Sequence, residues 1–212
     1  MKVKIENVLP NDIEKRSFEI ITEELGNAEL DPLKAPIIKR AIHTTADFDY
    51  LRNLYFSENA VIKFQEAIKE GTSIVTDTQM ARSGINKKRL GEYGGEVLCF
   101  MSDEDVAENA KLNKTTRAVA SMEKAAKLNK KFIFAIGNAP TALIRLYELI
   151  KEGRLDTAGI IAAPVGFVNV TEAKNLIMEL DCPLIVAKGR KGGSNVAAAI
   201  CNGLIYECNS NK

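Results

Sequence analysis

Lys131-Phe132-Ile133-Phe134-Ala135-Ile136-Gly137-Asn138-Ala139-Pro140-Thr141-Ala142-Leu143 is the stretch that decides the fold. After the lysine comes a short apolar run with no polar alternation, as in a strand buried on both faces of a sheet. Gly137 and Asn138 break the run. Pro140 then stands where the first turn of a helix accepts a residue without an N–H. Asn138 reads as the helix N-cap, so the turn should offer free backbone N–H groups at a helix start, a setting that favours anions.

Outward from this unit the same pattern recurs. Further short apolar runs lie at 72–76, 96–100, 158–162 and 183–187, with helical patterns over 79–90, 115–129, 140–151, 172–180 and 194–206. Asp103-Glu104-Asp105 reads as the acidic first turn of another helix rather than a Mg²⁺ site. Unalternated strands interleaved with helices predict a mainly parallel five-stranded sheet covered on both faces. We read residues 1–212 as a single domain, with 72–207 as the parallel α/β core and 1–71 as an N-terminal helical extension. In that extension Asn11 and Glu14 form a capping-box-like start to a helix that runs to Leu25 and stops at Gly26. Ser17 shares its inward face with Ile13, Ile20 and Ile21, a place where a serine usually just bonds its own helix backbone. Residues 30–36 read as a turn-rich connection. Ser57 is the expected cap of a helix striped by Ala60, Val61, Phe64 and Ile68 and ended by Gly71.

Composition narrows the function. Lys+Arg 29 against Asp+Glu 28 leaves a formal charge of +1, so no global field draws nucleic acid or an anionic membrane. Trp is absent and aromatics total 6%, which argues against a base-stacking platform. No apolar run approaches a membrane span, and Met1-Lys2-Val3-Lys4-Ile5-Glu6 lacks a signal-peptide core, so a cytoplasmic protein is expected. Cys99, Cys182, Cys201 and Cys208 form no C-x-x-C, and a lone histidine cannot complete a zinc set. The cysteines are expected to be reduced and mostly buried, and no resident metal is expected.

That histidine lies in Arg40-Ala41-Ile42-His43-Thr44-Thr45-Ala46-Asp47, a stretch too polar for a core strand and without a clean helical stripe. Imidazole is the one side chain whose unperturbed pKa lies near neutrality. Asp47 either orients it or caps a short helix. In an open parallel sheet, ligands bind beyond the carboxyl ends of the strands. There the chain carries Thr76-Asp77-Thr78-Gln79-Met80-Ala81-Arg82, then Gly137-Asn138, then Pro164-Val165-Gly166-Phe167, then Gly189-Arg190-Lys191-Gly192-Gly193-Ser194. The last loop, with a capping Ser194 and two cations, also suits an anion. Arg82 and Asp77 could pair with each other. The chain has no phosphate-binding G-x-x-x-x-G-K-[ST], no G-x-G-x-x-G after the first strand and no nucleophile elbow. These gaps leave a largely apolar pocket with anion-binding edges and one acid–base group.

The segment Arg40-Ala41-Ile42-His43-Thr44-Thr45-Ala46-Asp47-Phe48-Asp49 resembles the signature of the precorrin-8X (cobalt-precorrin-8) methylmutase family. The likeness continues in order through residues 76–80, Thr116-Arg117, 136–143, 163–167 and 189–194. It implies a flavodoxin-like three-layer α/β fold, a homodimer and a cofactor-free isomerisation that moves a methyl group from C-11 to C-12 of a corrinoid ring. It also implies His43 as proton donor and acceptor, with Ser17 and Arg40 as substrate-binding residues. Beside it, Arg117 and Arg190 with the helix starts at Asn138 and Ser194 are candidate clamps for the ring's carboxylates. Met80 and Phe167 would meet its apolar face. Thr76, Asp77 and Gly137 complete the substrate-binding candidates. Arg117, at the head of a helix with core residues Val119, Met122 and Ala126, is equally readable as a solvated cation. Two other readings stand beside the enzyme: a non-catalytic corrinoid carrier, and a flavodoxin-like regulator that binds FMN or ATP.

Overall fold

A computed structural model describes residues 5–208; the first four residues of the leader reading lie outside them. A 3-10 turn at Pro10–Asp12 leads into α1 (Ile13–Leu25), then α2 (Ala35–Thr45), α3 (Tyr50–Asn53), β1 (Leu54–Phe56) and α4 (Ala60–Lys69). Next come β2 (Ile74–Thr76), α5 (Gln79–Gly84), α6 (Lys87–Gly91), β3 (Val97–Leu98), α7 (Glu104–Leu112) and α8 (Arg117–Lys127). The chain then forms β4 (Phe132–Ile136), α9 (Pro140–Lys151), β5 (Thr157–Ala162), α10 (Val170–Ile177), β6 (Leu184–Ala187) and α11 (Ser194–Glu207).

The sheet has six strands in the order β1-β6-β5-β4-β2-β3. All neighbours pair in parallel except β1, which runs antiparallel to β6 with Leu54 opposite Ala187. Counted without β1, the parallel strands follow the flavodoxin-like order 2-1-3-4-5, which puts the switch point between β2 and β4. Alternate residues feed two cores. Ile133, Ala135, Ile161 and Ile185 join the residues of α2, α4 and α11 on one face. Phe132, Phe134, Ile136, Ile160 and Val186 join α8, α9 and α10 on the other. Because both faces are covered, the alternation in space leaves none in the sequence.

The sixth strand corrects the five-stranded expectation. Leu54-Tyr55-Phe56 is only three residues long, between Asn53 and Ser57, so residues 1–71 are not wholly helical. Ser57 does not cap α4, which starts behind Asn59. Its Oγ instead accepts from Leu184 N at 2.9 Å and extends the β1–β6 edge. Asn11 likewise falls inside the 3-10 turn, and Asp12 precedes α1 without a side-chain cap. The 79–90 helix is two helices, since Asn86 accepts from Arg89 N at 3.0 Å and starts α6 afresh.

Residues 40–45 of the histidine stretch are helical, because the apolar stripe that buries α2 starts upstream of Arg40 and continues through it. Ile37, Ile38, Ala41 and Ile42 are buried against α11. Gly203 of α11 makes that approach possible: a Cβ there would lie 3.2 Å from Ile37 Cα. Among the described residues no helix is long and apolar enough to cross a membrane.

Candidate active site

His43 sits in the last turn of α2, on its exposed face towards α1. Ser17 Oγ is 2.7 Å from its Nδ1, and Phe18 stacks on the ring with centroids 5.4 Å apart and planes 23° from parallel. A hydroxyl can donate to Nδ1 of neutral imidazole or accept from Nδ1–H of imidazolium, so this contact survives a change of protonation. No hydrogen bond from a described residue engages Nε2, which leaves that nitrogen to exchange a proton. The ring stands at a cavity of about 510 Å³ whose lining includes Val8, Ile13, Ser17, Ile42, His43 and Phe48. Arg16 and Glu6, paired at 2.8 Å, also line it.

One turn before His43, Arg40 lies between two rings, with its guanidinium carbon 5.2 Å from the Phe18 centroid and 4.6 Å from that of Tyr206. It also pairs with Glu14 at 2.9 Å. Glu14 is the more exposed partner, so a ligand carboxylate can replace it on a guanidinium that stays in place.

Asp47 does not orient His43. Its Oδ1 accepts from Asp49 N at 3.0 Å, and its Oδ2 meets Lys191 Nζ at 2.6 Å. The Lys191 ammonium holds the Asp47 carboxyl below the usual carboxylate range. Lys191 also reaches Asp49 at 2.6 Å. These ion pairs tie the end of the histidine helix to the loop after β6.

At the switch point the expected anion slot is filled from within. Asp77, 1% exposed, accepts from Gly137 N at 2.8 Å, Asn138 N at 2.8 Å and Ala139 N at 2.7 Å. Burial pushes its carboxyl pKa up, while the three N–H donors oppose that shift. The backbone donors assigned to a substrate are therefore taken by the protein's own carboxylate. Thr76 is fully buried, its hydroxyl donating to the Thr78 and Leu98 carbonyls at 3.1 Å. Gly137 is needed for close packing, since a Cβ there would lie 2.6 Å from Ser194 Cα. Thr76, Asp77 and Gly137 thus build the edge and present no side chain to a ligand.

Two caps also differ from expectation. Ala139, not Asn138, precedes α9, which leaves the Asn138 side chain exposed. Ser194 opens α11 rather than capping it, and its hydroxyl lies 2.7 Å from that of Thr78. Arg82 is not paired with Asp77; its Nε donates to Val97 O at 3.1 Å.

Other candidates face outward. Met80 is 71% exposed and Phe167 81%. The Arg190 guanidinium lies 5.4 Å from the Phe167 centroid. Arg117, the first residue of α8, is exposed and its guanidinium has no ion pair among the described residues. Met80, Phe167, Arg190 and Arg117 are thus all exposed at the surface.

The sequence reading missed Phe18, Tyr206 and Lys174, and took Lys191 for an anion-binding cation where it pairs with Asp47 and Asp49. Lys174 is the one with a legible signal, a lysine on the inward stripe Val170, Ala173 and Ile177 of α10. Burial pushes the Cys182 and Cys208 thiols up to about 11 and Cys201 higher still, which disfavours a thiolate nucleophile. All four cysteines are free. Among the described residues no cluster of three His, Cys, Asp or Glu is placed to hold a metal ion.

Residues 12–207 match the family described as precorrin-8X methylmutase. The chain is 46% identical to the cobalt-precorrin-8 methylmutase of Priestia megaterium, over 93% of this chain and 88% of the relative. It is 44% identical to the protein of that name from Salmonella typhimurium, over 93% and 95%. The structure superposes on the crystal structure of a precorrin-8X methylmutase from Thermus thermophilus with a TM-score of 0.87 and 38% identity, covering 94% of this chain and 98% of the other.

Proposed function

The chain belongs to the precorrin-8X methylmutase family of isomerases, and from that premise we propose that it moves the C-11 methyl group of cobalt-precorrin-8 to C-12, with His43 as the proton donor and acceptor. The cobalt-bearing substrate is favoured by the names of the relatives at 46% and 44% identity. The single methylmutase domain spans the chain.

The reaction balances without a co-reactant. One carbon–carbon bond at C-11 breaks, one at C-12 forms, and the formula of the ring is unchanged. Nε2 of His43 lends a proton to a ring nitrogen, which makes C-12 more electron-poor, and recovers it after the shift. General acid–base help of this kind is worth about 10²–10⁴-fold in rate. The observation that carries the reading is the sole histidine of the chain, held at Nδ1 by Ser17 at 2.7 Å, stacked on Phe18 and lining a cavity of about 510 Å³.

Arg40 would take a ring carboxylate in exchange for Glu14, while Ser17 acts through His43 as well as lining the cavity. Arg117, Arg190, Asn138 and Ser194 would meet other carboxylates of the rim, and Met80 with Phe167 the ring face. A homodimer fits the same picture, because a single chain leaves His43 exposed. Sedimentation of the purified protein should give twice the chain mass.

The test is turnover of cobalt-precorrin-8 followed by the absorption change of the chromophore. His43→Ala should lose about 10²–10⁴-fold in kcat. Its corrinoid affinity should stay within about 1–2 kcal/mol of the parent, the scale of one hydrogen bond. Undiminished turnover by this variant would remove the acid–base role. Tight binding by the parent protein with no spectral change would instead identify a carrier.

A further inference from the structure

Lys174 is 1% exposed, yet no carboxylate faces its ammonium among the described residues. Its Nζ donates to two backbone carbonyls of the loop between β6 and α11: Gly189 O at 2.8 Å and Lys191 O at 2.9 Å. The carbonyl between them, Arg190 O, accepts from Gly166 N at 3.1 Å. Three successive carbonyls are thus held from the protein side. Close packing completes the arrangement, since a Cβ on Gly192 would run into Ala163 O, and Gly193 N donates to Ala163 O at 2.8 Å.

A buried cation without a countercharge is costly, and an inward helical position would ordinarily take an apolar residue. What the ammonium supplies, and a leucine or methionine could not, is two charge-assisted donors aimed at one loop. With its carbonyls drawn inward, the loop keeps the Arg190 side chain on the outside, against Phe167. The next residue, Lys191, is left to reach Asp47 and Asp49 beside the histidine helix.

We propose that Lys174 is a positioning residue for substrate binding: its buried ammonium fixes the backbone of residues 189–191 so that Arg190 is presented to a ring carboxylate. The proposal rests on the reading of Arg190 as a carboxylate clamp. Lys174 acts only through the loop and touches no substrate.

The test is a double-mutant cycle of Lys174→Met and Arg190→Ala on the full chain, read as KM and kcat with cobalt-precorrin-8. Amide exchange at Gly166 is followed alongside, without substrate. Lys174→Met should raise KM tenfold or more, with kcat within threefold. The Gly166 amide should exchange at least tenfold faster. In the Arg190→Ala background the same substitution should add no more than twofold to KM, because the group it positions is already gone. Lys174→Gln, which keeps an uncharged N–H donor, should fall between parent and Lys174→Met, and serves if the methionine variant does not accumulate. A parental KM in Arg190→Ala would overturn the clamp reading beneath the proposal. A raised KM in Arg190→Ala beside an unmoved KM in Lys174→Met would overturn the positioning role alone. So would a Lys174→Met penalty of equal size in both backgrounds.

Discussion

The candidate site has two halves that hold their charges in opposite ways. Around the strand-end loops, Asp77 and Lys174 of α10 are buried and bonded to backbone, the carboxylate to three N–H groups and the ammonium to two carbonyls. On the α1–α2 side, Arg40 and His43 meet side chains: Glu14, Ser17 and the rings of Phe18 and Tyr206. A backbone partner cannot leave, whereas a side chain at the surface can be exchanged for a ligand. The first half shapes the loops, and the second is free to do chemistry.

Removing the buried carboxylate should therefore cost stability, and removing an exposed group should cost function. Asp77→Ala leaves three backbone donors at the head of α9 without an acceptor. It should destabilise the protein by about 3 kcal/mol or more, measured by urea denaturation. A loss below about 1 kcal/mol would mean that water replaces the carboxylate and that the slot is open to ligands after all.

Lys174 predicts a pH dependence. Burial draws its pKa from 10.5 down to about 8 in the folded chain. Between those values the unfolded chain binds more protons than the folded one, so stability rises with pH. Relative to Lys174→Met, the parent should gain up to about 3 kcal/mol between pH 8 and 10.5. The carbonyl contacts favour the ammonium and make that a ceiling. A flat difference in unfolding free energy across this range would mean that the amine is solvated.

The remaining effects are smaller and lie on the other half. Ser17→Ala should cost about 1 kcal/mol in kcat/KM, near fivefold, through loss of the Nδ1 contact, while the denaturation midpoint hardly moves. Glu14→Gln removes the carboxylate that competes for Arg40, and exposed pairs of this kind hold about 0.2–1 kcal/mol. It should lower KM two- to fourfold. A raised KM would show instead that Glu14 orients Arg40.

Much of this was legible in the chain itself. The α9 start was marked by Pro140 and the α1 end by Gly26, because both signals are local restrictions on φ and on N–H donors. His43 stood out as the lone imidazole, whereas Ser17 and Arg40 were singled out only by the family resemblance. β1 was not legible: three residues carry no period, and the strand exists only because the β6 edge is there to pair with it. The role of Asp77 was hidden for a related reason. Residues 77 and 137–139 are far apart in sequence, and nothing local distinguishes a turn that waits for a ligand from one already filled.

By itself the sequence determined the alternation of strands and helices and the two-sided burial of the sheet, since each follows from side-chain type and short-range spacing; His43 became the proposed acid–base residue only through the family resemblance. Tertiary structure alone decided which charges are free. Whether Asp77 binds or is bound, whether Lys174 faces water or carbonyls, and whether Asp47 serves His43 or Lys191 all depend on which segments the parallel order 2-1-3-4-5 brings side by side. A charge acquires its role only once its neighbours have displaced or admitted water.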